Sequence, residues 1–264
     1  MKLAVLGTGK LGGAIVRGWR AAGVVEGEDI TLPRRVSGEV LAAELGARLV
    51  ESNAEAVVGA ELLLLAVKPH LVVPVLTQVR EWLDPACLVV CVAAGITTPT
   101  MAAVLPAGQP LVRVLPNTPA LIRASATAFA RGASATDSHV ALITRLFCAL
   151  GLCLEVTEAQ LDATIGVASS GVAFVYLFIE ALTDGGVRMG LPRPVARALA
   201  AQTLIGAGRL VLETGEHPIA LKDAVTTPGG TTMAGIAVLE NGAFKGLVME
   251  AVKAAAVRAT ELGK

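Results

Sequence analysis

The feature that most constrains the fold of this chain is a change of pattern near residue 156. Before that point, short apolar runs alternate with stretches of helical spacing, which is typical of a parallel sheet with crossover helices. Most runs are unbroken in apolar residues, as expected where helices cover both faces of a sheet. The predicted strands are residues 2–6, 30–32, 62–67, 88–92 and 111–115, with two weaker ones at 127–131 and 153–156.

After Val156 the apolar residues recur only with helical spacing. We therefore predict an α/β fold, with an N-terminal Rossmann-like doubly wound sheet over residues 1–157 and a C-terminal all-α domain over residues 158–264. The uncharged stretch 163–179 is slightly shorter than the roughly 20 residues that a membrane-spanning helix needs. We expect a helix buried against its own subunit and a second one, which makes the C-terminal domain a dimerisation domain.

Charge and cysteine content narrow the classes of partner. Acidic and basic residues balance at 22 each, which gives no case for a nucleic-acid groove or a polybasic membrane patch. The four cysteines show neither CxxC pairing nor metal-site spacing, and the apolar stretch at residues 3–6 is shorter than we expect of a secretory signal. We expect a cytoplasmic homodimer or larger homo-oligomer that binds a small molecule, without a metal, a membrane or nucleic acid.

A GxGxxG sequence, Gly7-Thr8-Gly9-Lys10-Leu11-Gly12, follows the first predicted strand. Gly7 permits a tight turn, Gly9 lets the backbone approach a pyrophosphate, and the following helix presents free N–H groups to that anion. An ordinary glycine-rich turn has the same letters, but the position between a strand and a helix favours a dinucleotide.

The residues after the second predicted strand indicate which dinucleotide binds. An NAD site normally places a carboxylate there, whereas this chain has Arg34 and Arg35. Two guanidinium groups suit the 2′-phosphate of NADPH, with NADH possible but weaker. Two solvated surface arginines are the alternative interpretation.

Two other strands end in segments that should line the same crevice, because ligands of open α/β sheets bind beyond the carboxyl ends of the strands. The segments are Ala66-Val67-Lys68-Pro69 and Ala93-Ala94-Gly95. Lys68 is equally well explained as a surface charge before a strand-stopping proline.

Two further segments combine proline with small polar residues. In Pro116-Asn117-Thr118-Pro119 the Asn and Thr can bond to backbone or to a ligand, and a purely structural turn is the alternative. In Val225-Thr226-Thr227-Pro228-Gly229-Gly230-Thr231-Thr232-Met233 the glycines let N–H groups converge on an anion, and the threonines add uncharged hydroxyls. A helix cap alone would leave most of these residues unexplained.

Together these motifs resemble the pyrroline-5-carboxylate reductase family. The resemblance rests on GTGKLG, AVKP, RVLPNTPA, DGGVRMGLP and LKDAVTTPGGTT, in the order typical of that family, and runs from residue 2 to about residue 263. It implies NADPH-dependent reduction of 1-pyrroline-5-carboxylate to L-proline, the last step of proline biosynthesis, by hydride transfer to the imine carbon.

The resemblance also implies roles for individual residues. The pyrophosphate would be held by Leu6, Gly7, Thr8, Gly9, Lys10 and Leu11, the adenosine side by Asn53, and the nicotinamide half by residues 66–69 and 93–95. The substrate carboxylate would be bound by Gly229, Gly230 and Thr231, with Asn117 and Thr227 also in contact with substrate. The Thr232 hydroxyl would face the ring nitrogen as the catalytic group. One departure from the family is Ser169-Ser170-Gly171-Val172-Ala173-Phe174, where Gly-Ser-Gly-Pro-Ala-Tyr is usual.

Other functions remain open at this point. The three histidines are scattered, and a protonated imine needs only a positioned donor rather than a strong acid. A β-hydroxyacid dehydrogenase-like enzyme would need a proton acceptor such as a lysine on the first helices of the second domain, and residues 158–187 contain no lysine. A related imine reductase fits the same plan, and a non-catalytic NADP-binding protein would have no use for the second anion-binding loop.

Overall fold

The structure is a computed structural model that describes residues 1–262. It contains two compact units. The first comprises Met1–Ser169 together with the last helix from Ala254 onward, and the second comprises Ser170–Lys253. The division between these compact units falls after Ser169 rather than after residue 157. Compact units and functional domains need not coincide, and the domain boundary after residue 157 stays a prediction.

The first unit contains one sheet of eight strands. The strands are β1 (Leu3–Leu6), β2 (Ile30–Pro33), β3 (Arg48–Val50), β4 (Leu62–Leu65), β5 (Leu88–Cys91), β6 (Leu111–Leu115), β7 (Ser125–Arg131) and β8 (Gly151–Glu155). Their spatial order is β3-β2-β1-β4-β5-β6-β7-β8. The first six strands in this spatial order, from β3 through β6, run parallel to one another. Strand β7 is antiparallel to β6, and β8 is parallel to β7. Strand order reverses between β1 and β4, so the predicted doubly wound sheet is confirmed.

The sequence does not predict β3. This strand has only three residues and lies at the edge of the sheet, where Arg48 is exposed and only Val50 is buried. A strand this short shows neither an apolar run nor a full period of alternation.

Helices cover both faces of the sheet. Those of the first unit are α1 (Lys10–Ala21), α2 (Val36–Leu45), α3 (Asn53–Val57), α4 (Pro69–Val79), α5 (Thr98–Ala102), α6 (Asp137–Cys148) and α7 (Glu158–Thr164), with short 3₁₀ helices at Gly27–Asp29, Arg80–Trp82 and Thr118–Ile122. Alternate residues of β1 enter different apolar clusters: Leu3 and Val5 belong to one, and Ala4 and Leu6 to the other. Two buried faces explain why β1, β4 and β5 are apolar at every position.

The second unit is helical. Its helices are α8 (Gly171–Arg188), α9 (Arg193–Thr214), α10 (Pro218–Ala224), α11 (Thr231–Asn241) and the first part of α12 (Phe244–Leu262). A π-helical segment, Ile165–Ser169, lies between α7 and α8 along the chain. The predicted all-α character of the C-terminal part is confirmed by these elements.

The long apolar helices are exposed in the single chain. By length and composition alone, Glu158–Arg188 and Arg193–Thr214 could each cross a membrane, and only 11% of the most apolar 18-residue window in each is buried. Tyr176 and Leu177 are 60% and 63% exposed. The expectation that residues 163–179 are buried against their own subunit is therefore wrong for α8, and the apolar surface is free to contact something outside this chain.

Candidate cofactor and substrate site

The turn after β1 brings the ends of β1 and β4 into contact. Gly7 has a φ of +107°, and a Cβ placed on it would lie 2.4 Å from the carbonyl carbon of Ala66. The Ala66 N–H donates to the Leu6 carbonyl at 2.8 Å. Both the backbone conformation and the close approach exclude a side chain at Gly7. The glycine thus places the turn at the switch point of the sheet, where ligands of this fold bind.

The next two glycines of the turn have different surroundings. A Cβ on Gly12 would lie 2.1 Å from the Gly7 carbonyl oxygen, so α1 packs directly on the turn. Gly9 is the N-cap of α1 and has no atom within 4 Å of a Cβ built on it. No acidic residue lies in the first turn of α1. An open helix N-terminus with free N–H groups and no nearby negative charge fits the pyrophosphate of a dinucleotide.

The two arginines after β2 are not equivalent. Arg34 donates to Glu51 at 2.8 Å and to Glu39 at 3.2 Å, and these carboxylates raise its pKa. Arg35 donates to the carbonyl of Arg34 at 2.8 Å and, among residues 1–262, forms no ion pair. Arg35 is therefore the guanidinium with its charge available to an anion.

A hydroxyl pair links the glycine turn to the region after β2. The side-chain oxygens of Thr8 and Ser37 are 2.7 Å apart. Ser37 lies near the start of α2, two residues after Arg35, and no motif in the sequence marks it. The pair places two hydroxyls, one of them two residues along the chain from Arg35, near where an additional phosphate on the adenosine ribose is expected in this fold.

The remaining predicted cofactor residues follow β3, β4 and β5. Asn53 begins α3 and donates to the side chain of Gln78 at 2.9 Å. Lys68 is the exposed N-cap of α4, while Ala93 and Gly95 are buried beyond the end of β5. They thus lie at the carboxyl edge of the sheet as predicted, and their roles in binding stay predictions.

A cavity of about 240 Å³ lies beside the glycine turn. It is lined by Lys10, Leu11, Ala14, Pro116, Asn117, Thr118, Leu121 and Ser169. The start of α1, the loop after β6 and the end of the π segment therefore meet at one place. Its lining is mainly apolar, with the Lys10 ammonium as its one charge, which suits a flat ring better than a metal or a polyanion.

Asn117 is 7% exposed, and its side chain is engaged by protein atoms. Its Oδ1 accepts from the Ala126 N–H at 3.0 Å and from the Ser125 hydroxyl at 3.1 Å. Its Nδ2 donates to the Ala168 carbonyl at 3.2 Å. These contacts favour a structural role over the direct substrate contact that the sequence suggests.

A buried ion network lies beneath this loop. Arg113 on β6 is fully buried and donates to Glu158 at 3.1 Å and to Asp162 at 2.5 Å. The backbone and hydroxyl of Thr98 also donate to Glu158. Because an unpaired buried charge is costly, this network firmly attaches α7 to the sheet. In the sequence, Arg113 stands out only as part of the loop motif, and nothing there indicates its acidic partners.

The second anion-binding segment lies in the second unit. Gly229 adopts a φ of +67°, and Gly230 is the N-cap of α11. The Gly230 N–H donates to the Thr227 carbonyl at 3.0 Å, which closes the turn. Within residues 1–262 no acceptor pairs with the N–H groups of Thr231 and Thr232, so both can serve an anion.

The thiols offer no reactive group in the described core. All four cysteines are free, and only Cys148 is exposed. Burial raises the pKa of Cys87 and of Cys153 to about 12, and that of Cys91 to about 11. These three thiols are neutral at physiological pH and cannot act as thiolate nucleophiles. Among residues 1–262 no cluster of three His, Cys, Asp or Glu could hold a metal ion.

Known proteins match both parts of the chain. The family model described as pyrroline-5-carboxylate reductase dimerisation matches residues 158–262, and the one described as NADP oxidoreductase, coenzyme F420-dependent, matches residues 2–95. Pyrroline-5-carboxylate reductase 3 of Danio rerio is 39% identical over 264 residues, which cover 100% of this chain and 92% of the relative. Pyrroline-5-carboxylate reductase 2 of Homo sapiens is 37% identical over 268 residues, covering 99% of this chain and 84% of the relative.

Solved structures agree with the sequence matches. The pyrroline-5-carboxylate reductase of Coxiella burnetii superimposes with a TM-score of 0.93 at 32% identity, covering 100% of this chain and 98% of the other. The Plasmodium falciparum pyrroline carboxylate reductase with NADP bound gives a TM-score of 0.89 at 27% identity, with the same coverage. The resemblance drawn from the sequence motifs is thus confirmed over the full length of the chain. The chain belongs to the pyrroline-5-carboxylate reductase family.

Proposed function

We propose that this chain reduces 1-pyrroline-5-carboxylate to L-proline with NADPH, acting on the C=N bond of the cyclic imino acid. The observation that carries the proposal is the presence of two glycine turns without acidic residues, each at the N-terminus of a helix, one after β1 and one before α11. Family membership over the whole chain supports the same reaction. When bound, NADPH supplies the hydride.

The protein's own task on the cofactor side is to bind and orient the nucleotide. The turn from Leu6 to Leu11 binds the pyrophosphate, with Asn53 on the adenosine side and the segments 66–69 and 93–95 beside the nicotinamide. Of the two arginines, Arg35 pairs with the 2′-phosphate, because Arg34 is already held by two carboxylates. NADH, which lacks that phosphate, binds more weakly.

On the substrate side, the backbone around Gly229, Gly230 and Thr231 binds the carboxylate of the imino acid, next to the hydroxyl of Thr227. The Thr231 N–H is free to donate, whereas the Gly230 N–H closes the turn on the Thr227 carbonyl. Thr232 is the catalytic residue, and its hydroxyl forms a hydrogen bond with the ring nitrogen. This assignment is supported by the free N–H groups at the start of α11. A protonated imine is already electrophilic, so a positioned neutral hydroxyl is sufficient.

The test is to follow NADPH absorbance with purified protein and three substrates. We expect rapid consumption with 1-pyrroline-5-carboxylate, slower consumption with the six-membered piperideine-6-carboxylate, and none when NADP⁺ is offered with a β-hydroxyacid. A faster rate with the six-membered ring would favour a different imine reductase. Binding of NADPH without turnover of any substrate would favour a non-catalytic protein.

The homo-oligomer is formed through the C-terminal helices. A groove of about 300 Å³ between α8 and α12 is lined by Phe174, Leu177, Phe178, Ala181, Phe244, Leu247, Val248 and Ala251. All eight of these lining side chains are apolar. The family model for pyrroline-5-carboxylate reductase dimerisation matches residues 158–262, which include both helices. A second copy that covers this surface accounts for the exposed apolar helices without a membrane. We also place the protein in the cytoplasm and its domain boundary after residue 157.

Replacing Leu177 by Glu in this groove should convert the oligomer to monomers in analytical ultracentrifugation. Ser134→Glu, at an exposed loop residue of the first unit, adds the same negative charge away from the groove and is the control. An unchanged sedimentation coefficient for Leu177→Glu would contradict the proposed interface.

A further inference from the structure

The helical stretch that begins at Glu158 contains an irregularity, the π segment Ile165–Ser169. A π turn is rare and occurs mostly as a single-turn bulge inside a helix, frequently at functional sites. The wider turn also changes which backbone carbonyls have partners within the helix. A segment of this kind therefore needs contacts from elsewhere in the protein to hold its conformation.

Strand β6 holds the helix before the π segment. Arg113 is fully buried and pairs with Glu158 and Asp162, one turn apart on α7. On the same helical stretch, Leu161 of α7 and Ile165 at the start of the π segment pack in an apolar cluster with Leu115 from the end of β6. The start of the π segment is thus attached to the sheet by charge pairing and by apolar packing.

The loop after β6 holds the other end. Asn117 donates from Nδ2 to the carbonyl of Ala168 at 3.2 Å. The orientation of the amide is set by its second partner, because the Ala126 backbone N–H can only donate and therefore requires Oδ1 on its side. Asn117 is buried, so neither contact is exchanged readily for water.

The residue after this carbonyl reaches the candidate site. Ser169 ends the π segment and lines the cavity beside the glycine turn, together with the loop that carries Asn117. The position of Ala168 therefore sets the position of Ser169 in the cavity wall. Both residues lie in the same compact unit as Asn117 and the glycine turn.

We propose that Asn117 is a positioning residue of the reductase: its amide holds the Ala168 carbonyl of the π segment and thereby places Ser169 in the wall of the cavity that receives the reacting rings. The proposal rests on the proposed function, since it assigns this cavity to the imino acid and the nicotinamide. Asn117 itself does not touch the substrate.

The test compares Asn117→Asp, Ser169→Ala and the double variant. Asn117→Asp keeps the size and one acceptor oxygen but turns a second oxygen toward the Ala168 carbonyl. We expect kcat with pyrroline-5-carboxylate to fall about 10-fold or more, while the Kd for NADPH, measured by fluorescence, changes less than about 2-fold. Ser169→Ala should lose less, and the double variant should be no slower than Asn117→Asp alone, because both changes act on the same wall.

An unchanged kcat in folded Asn117→Asp would overturn the proposal, since the amide would then serve stability alone. Losses that multiply in the double variant would also overturn it, since Asn117 would then act independently of Ser169. If Asn117→Asp does not fold, Ser169→Val provides the test: a bulkier wall residue must lower kcat with NADPH affinity retained, and unchanged kcat sinks the proposal. An inactive wild-type protein would instead reject the proposed function.

Discussion

The two glycine turns of this chain have similar chemistry but different support. The turn after β1 is packed against backbone on two sides, at Gly7 and at Gly12, and belongs to a unit with two buried apolar clusters. The turn before α11 has no atom within 4 Å of a Cβ on Gly229, and every residue from 227 to 235 except Gly230 is exposed. The first turn is shaped by its own sheet, whereas the second gains little support from its own unit.

The largest expected effect is that of Gly12→Ala. The added Cβ would lie 2.1 Å from the Gly7 carbonyl oxygen, so α1 must move away from the turn. We expect a loss of about 3 kcal/mol or more in unfolding free energy, near the upper range for overpacking, and at least about 100-fold weaker NADPH binding. Urea unfolding and fluorescence titration measure the two effects.

Gly229→Ala is the matched control in the second turn. It adds strain in the left-handed region but meets no neighbour, so it should cost only about 1 kcal/mol. An equal cost in both turns would contradict the difference in support.

The next largest effect is expected for Thr232→Ala, which removes the hydroxyl assigned to the ring nitrogen. Turnover should fall about 100-fold, in the lower range for positioned proton donors, with the Kd for NADPH unchanged. Thr231→Ala is the control, because the assigned group of Thr231 is its backbone N–H, which alanine retains. Similar turnover in the two variants would mean that the Thr232 hydroxyl has no special role.

A smaller effect is expected for Arg35→Ala, which removes the free guanidinium after β2. The ratio of kcat/KM for NADPH to kcat/KM for NADH should fall about 10-fold, which corresponds to the loss of one charge-assisted hydrogen bond. Arg34→Ala should narrow it much less, because that guanidinium is bound by Glu39 and Glu51. The reverse order would show that Arg34 leaves its carboxylates when the cofactor binds.

The smallest effect concerns the thiols of the first unit. At about pH 8 a thiol reagent should label Cys148 alone in the folded protein, and all four cysteines after unfolding. The folded-state pKa values of Cys87, Cys91 and Cys153 are raised to about 12, 11 and 12. The unfolded chain therefore loses these thiol protons at a lower pH than the folded protein does. The contribution of the three buried thiols to the free energy of unfolding is fully present below the unfolded pKa of about 8.5 and is lost as pH rises from there through the folded pKa values. Rapid labelling of two or more thiols in the folded protein would contradict this core.

The sequence predicts the regular parts of the fold well, because β1, β4 and β5 are unbroken apolar runs and the glycine turn lies between a strand and a helix. It does not predict β3, which is too short to show a period. The ion pairs of Arg113 join residues 45 and 49 positions apart, and such distant pairs leave no periodic signal. The same limit applies to the Thr8–Ser37 contact and to the amide of Asn117, whose partner is a backbone carbonyl.

The reaction itself is tested most directly by isotope transfer from NADPH that carries deuterium at both positions on C4 of the nicotinamide. With 1-pyrroline-5-carboxylate as substrate, the account predicts one molecule of L-proline for each NADPH consumed, with the deuterium on the carbon that formed the C=N bond. Consumption of NADPH without labelled proline would contradict it.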